Sequence, residues 1–163
     1  MADLASTIAT DLAEYYKYIT AHLHEWTDAL TEEQFWCKPH EYGNSVGHLV
    51  LHLTGNLNYY IGARVAETGY LRDRPREFTE TRRPAKTEVL QGFDRAIEMV
   101  IAAIGKQSAA DWQKSYSAEL EPEATERFMI FLRCAGHAYH HVGQIIYLHR
   151  ELTRKIGAKT KPA

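Results

Sequence analysis

The chain reads as an all-α protein: a four-helix bundle with a long connection after its second long helix. Three observations point there. Apolar residues recur at spacings of three and four through four long segments. Capping and stop signals flank those segments. No stretch alternates apolar and polar residues strongly enough to build a sheet.

The first long helix is expected from Leu4 to Leu30, with Leu4, Ile8, Leu12, Tyr15, Ile19, Leu23 and Trp26 on one face. Thr31 with Gln34 three residues on is a capping box, so a short helical turn follows. Pro39 and Gly43 bracket a loop. Ser45 caps the second long helix, expected to run to about Thr68, with Gly69 at its stop. Residues 69–85 (GYLRDRPREFTETRRPA) are polar and hold two prolines, and they read as an exposed, solvated connection. The third long helix runs from Lys86 or Thr87 to Ile104, with Leu90, Phe93, Ile97, Val100 and Ile104 as its buried stripe. Residues 106–122 carry one helical turn at Ser108 to Trp112 and are otherwise extended. The last helix is expected from about Glu123 to Thr153. A single domain thus spans 1–153, and 154–163 form a frayed basic tail.

Composition bounds the function. The chain has 163 residues, 45% hydrophobic and 25% charged, with a net charge of −2. That balance gives no reason to expect nucleic acid or an anionic membrane as partner. No segment approaches the roughly 18 apolar residues of a membrane span. The N-terminal MADLASTIATDLAEYY lacks a basic start and apolar run, and the two cysteines make neither a CxxC site nor a disulfide framework. A reduced, cytoplasmic setting is expected.

The chemistry sits in the histidines, of which there are nine. Two doublets have i,i+4 spacing: His48 and His52 in NSVGHLVLHLTGN, and His137 and His141 in GHAYHHVGQI. On a helix such residues share a face, about 40° apart. Two packed helices could therefore bring three or four imidazoles together, the ligand set of a divalent transition metal. Cys134 and Gln144 share the sector of the second doublet, and Gly55, Asn56 and Tyr59 that of the first. His140 is turned about 100° away from His141, towards solvent. Gly47, Gly55, Gly136 and Gly143 fall inside helical patterns, where small residues would let backbones approach or leave room for a bound molecule.

Two metal chemistries are excluded. The residue after His137 is Ala138 and that after His48 is Leu49, so the HExxH glutamate of zinc peptidases is missing. No ExxH occurs, which removes the ferritin-like di-iron pattern. A carboxylate-poor histidine site remains, suited to Zn or Ni ahead of Fe or Mn. Three protein ligands would leave open positions for water or substrate. Cys134 reads as a small buried residue rather than a ligand, and Cys37 as structural.

LTEEQFWCKP, NSVGHLVLHLTGNLNYYIG, DRPREF and GHAYHHVGQIIYL together resemble the DinB/YfiT-like family of metal-dependent four-helix-bundle proteins, over most of the chain. The resemblance implies a metal held by one histidine of the second long helix and two of the last. Those are His52, from LVLHLTGN, and His137 and His141, from HxxxHxGQ. His48 lies one turn before the matched position and stays open as a fourth ligand, a group behind a ligand, or a bystander. Asn56, Gln144 and Tyr59 are candidates to support the ligands or line a pocket. The resemblance further implies homodimers, a small-molecule substrate, and for some relatives transfer of a low-molecular-weight thiol. The expected function is a divalent-metal-dependent thiol S-transferase. The alternatives are a non-catalytic metal- or ligand-binding stress protein and a structural dimer with a vestigial site.

Overall fold

The computed structural model describes residues 3–154. The expected basic tail lies, but for Arg154, outside them. Seven α-helices and one π-helical segment follow one another: α1 Leu4–Thr27, α2 Glu32–Trp36, α3 Val46–Leu57, the π-segment Asn58–Ala63, α4 Arg74–Thr79, α5 Lys86–Ile104, α6 Ala109–Trp112 and α7 Arg127–Thr153. Among the described residues the only β feature is an isolated antiparallel bridge, Ser115 to Glu126. The protein is all-helical.

Local signals start most helices. Asp3 accepts from the Ser6 N–H at α1, and Ser45 does the same for His48 at α3. Complete capping boxes open α2 (Thr31, Gln34) and α6 (Ser108, Asp111). The four longest helices pack around one core. α1 touches α5 and α7, and α3 touches the same two from its own side, with α4 laid against α3. Tyr16, Ile19 and Leu23 of α1, Leu53 and Leu57 of α3, Phe93 of α5 and Phe131 of α7 are fully buried there. The Tyr16 hydroxyl donates to the Phe131 carbonyl at 2.7 Å, so this buried polar group is satisfied across α1 and α7.

Four expectations are corrected. The first long helix ends at Thr27, not Leu30. The second long helix is α-helical only to Leu57. It then widens, with Arg64 N–H bonding the Tyr59 carbonyl and Ala66 N–H that of Ile61, five residues back. Tyr60, Ile61 and Gly62 stay buried through this turn, so the apolar pattern continues while the hydrogen-bond period does not. The last helix begins at Arg127, not Glu123. Residues before it are tied into the bridge, with Tyr116 N–H on Thr125 and Arg127 N–H on Lys114. The 69–85 connection is not simply an exposed loop. It contains α4, capped by Asp73, and it buries the side chains of Glu77 and Glu80.

Candidate metal centre

The α3 and α7 doublets converge, but unequally. One nitrogen from each of His52, His137 and His141 lies within 4.8 Å of the others, so the three could hold a metal ion. The closest pair is His52 Nε2 and His137 Nε2, 2.9 Å apart. The three rings stand edge to face, with centroids 4.5 to 5.1 Å apart. His52 is buried, and the α7 pair is half-buried, leaving one side of the cluster towards solvent.

Each outer nitrogen on His52 and His141 has its own partner. The His52 Nδ1–H donates to the Glu77 carboxylate at 2.8 Å, because a carboxylate only accepts. That fixes the tautomer and leaves His52 Nε2 as a bare lone pair facing His137. His137 Nε2–H then supplies the proton shared between them. On the other side, His141 Nδ1 pairs with the Gln144 side-chain oxygen at 2.7 Å, which turns its Nε2 lone pair inward. Metal-binding histidines use this arrangement to hold ring orientation.

Electrostatics keep the α7 rings neutral. Burial, then the neighbouring His141 and His52, push His137 down to about 3. Burial brings His141 down to about 4 against the Gln144 hydrogen bond, with His52 and His140 adding to the depression. Neutral imidazoles are the form that ligates. The donor set of three imidazole nitrogens therefore fits a metal ion.

Glu77 was not a sequence candidate: the cluster itself holds only histidines, but a buried carboxylate supports it. Its carboxylate does not join the cluster but stands directly behind His52. Arg72 grips it with two bonds, Nε at 2.7 Å and Nη2 at 2.9 Å, and both side chains are 7% exposed. Burial alone would push the Glu77 carboxyl up, but the hydrogen bonds from His52 and Arg72 hold it below its ordinary range. Arg72 in turn lies over the Tyr59 and Tyr60 rings, and Phe78 of α4 packs tilted against His52 with centroids 4.7 Å apart. The basic cluster at Arg72 is thus part of the site's wall, not a solvated loop.

Gly55 explains how an acid from the connection reaches a buried histidine. A Cβ there would run into the Glu77 carboxylate. Gly55→Ala is expected to push Glu77 off His52, lowering the thermal midpoint and weakening metal binding together. An unchanged melting curve would show that the carboxylate has somewhere else to go. Gly47 has a different reason to be glycine: a Cβ there would lie 2.7 Å from the Trp36 ring.

The other candidates take separate places. His48 is outside the cluster. Its Nδ1 accepts from Ser45 Oγ at 2.6 Å, its Nε2–H donates to the Glu80 carbonyl at 3.1 Å, and its ring meets Trp36 edge on. Asn56 is buried, with its side-chain oxygen unpartnered among the described residues. Tyr59 reaches the site only through Arg72. Cys134 is buried, and burial drives its thiol well above the ordinary range, so it is no thiolate. Cys37, expected to be structural, is exposed.

One family matches nearly the whole chain, over residues 4–156: DUF1572, described as a protein of unknown function. The chain belongs to the DUF1572 family. The match spans all four long helices and every residue of the histidine centre, so the site lies within this DUF1572 domain and not in an appended segment. No curated protein matches the chain. Among the described residues of this DUF1572 protein, no helix is long and apolar enough to cross a membrane.

Proposed function

We propose that this DUF1572 protein is a divalent-metal-dependent transferase, built on a DinB/YfiT-like four-helix bundle and using a low-molecular-weight thiol as co-substrate. His52, His137 and His141 would hold one ion, Zn or Ni ahead of Fe or Mn. The observation that carries the reading is the convergence of three imidazoles: Glu77 holds the outer nitrogen of His52, Gln144 holds that of His141, and burial keeps the two α7 rings neutral. A bound ion would supply a Lewis-acid position at which a thiol or water loses its proton near neutral pH.

The chain's own groups do the rest. Glu77 and Arg72 keep His52 in one tautomer, Phe78 lies against its ring, and Gln144 orients His141. The half-buried side of His137 and His141 leaves an approach for substrate. The protein acts in this reading as a cytoplasmic homodimer.

Metal analysis of protein never exposed to chelator should find about one Zn or Ni per chain by the three-ligand rule. His52→Ala should lose it. With the metal-loaded protein, a panel of cysteine-derived thiols and an aromatic chloride electrophile should give thioether product at a rate absent from His141→Ala. Stoichiometric metal without turnover would leave a metal-holding protein and reject the transferase. Protein without metal would reject both.

A further inference from the structure

A second feature of the molecule has no part in the metal centre yet touches it. The loop at 39–44 and the outer face of α7 enclose a cleft of about 570 Å³, the size of a site for a small organic molecule. No aspartate, glutamate, lysine or arginine lines it. The walls are aromatic on both sides. His40 and Tyr42 stack on each other from the loop, with centroids 5.4 Å apart and planes 9° from parallel, and Tyr147 and His140 face them from α7.

The floor carries a glycine without a structural reason. Gly143 is in the middle of a 27-residue helix, where glycine is unfavourable. An added Cβ would meet nothing, so no neighbouring chain excludes a side chain there. What its absence keeps open is the cleft. Gln144 is the shared wall: its oxygen accepts from His141 Nδ1, and its Nε2 donates to His140 Nε2 at 3.3 Å. A molecule in the cleft therefore lies against the group that orients a metal-binding imidazole.

We propose that this cleft binds an uncharged, planar aromatic molecule. With no counter-charge in its walls, the cleft gives an ion nothing in return for its lost hydration. Flat rings on both walls favour a stacked ring between them, and Asn44 and Gln144 offer polar atoms to its edge.

Binding is tested apart from turnover, on chelator-treated protein, with benzamide and 4-nitrobenzamide as probes and benzoate as the charged control. The neutral amides should shift the His40 and His140 side-chain NMR signals in a saturable way, and benzoate should not. Gly143→Phe should abolish those shifts while its thermal midpoint stays equal or rises, since a helical glycine is removed. Tyr147→Ala, an exposed position, should weaken binding without unfolding the chain. Absence of any saturable shift, equal binding of benzoate, or unchanged binding in both variants would overturn the proposal. The amides should still bind His52→Ala, so a cleft that binds in a protein that does not transfer would leave this inference standing and remove only the transferase.

Discussion

Glu77→Ala is expected to remove about 3–5 kcal/mol of stability and to weaken divalent-metal binding about 10- to 100-fold. Both follow from one geometry. The carboxylate lies between the His52 Nδ1–H and the Arg72 fork, with Arg72 and Glu77 each only 7% exposed. Removing it leaves a guanidinium buried without its anion, which costs more than the ion pair itself contributes. It also frees the His52 ring to choose either tautomer. Two further variants separate the effects. Glu77→Gln can still accept from His52, so its loss of metal affinity should be smaller than that of Glu77→Ala. The pair Glu77→Gln with Arg72→Met removes both charges, and should recover much of the stability lost by Glu77→Gln alone while metal affinity stays low. Urea unfolding of metal-free protein and competition titration with a chromophoric chelator measure the two quantities. Stability within about 0.5 kcal/mol of the parent for Glu77→Ala, the range of ordinary surface changes, would show that the network is not a support for His52.

The helices and the three imidazoles were legible in the sequence because both rest on local periodicity. His137 and His141 share a face of α7 whatever else the chain does, and apolar spacing aims that face beside the core. Ser45, Thr31 and Ser108 announce their helices by hydrogen bonds within three residues. Glu77 is of another kind. It sits in a run that is polar throughout, and its burial follows from a missing side chain 22 positions earlier, at Gly55. No periodicity joins those two positions. Arg72 reads as a loop cation for the same reason, since only the folded chain shows that its partner is buried. The π-segment was hidden because its apolar residues keep helical spacing while the hydrogen bonds widen by one residue. The separation of His48 from His52 was equally out of reach of spacing. The Ser45 cap and the Glu80 carbonyl occupy both ring nitrogens of His48, whereas Glu77 takes only Nδ1 of His52 and leaves its Nε2 to face His137.

The metal-free protein should lose stability steeply on mild acidification. His137 and His141, at about 3 and about 4, lie below the ordinary histidine value near 6.5 that they regain on unfolding. Between those limits the unfolded chain binds more protons than the folded one, so stability falls as pH falls. The stabilisation is fully present above about 6.5. Both groups contribute to the loss down to about 4, and only His137 continues towards 3. Glu77, held below its ordinary range, adds a loss of the same sign at the acid end. His24 runs the other way. Burial lowers its pKa, but Asp94 and Asp28 raise it above the ordinary value on balance, so its contribution is present in acid and lost as pH rises through that raised value. Urea unfolding between pH 7.5 and 4.5 should therefore show a slope that is cut by more than half in a His137→Gln, His141→Gln double variant. The same slope in parent and double variant would mean that these rings are not held neutral. Because they are already neutral, ion binding need not strip protons from the α7 pair above about pH 5. Zinc affinity should then fall far less between pH 7 and pH 5 than at an exposed three-histidine site, where each ligand begins to compete with protons below about 6.5.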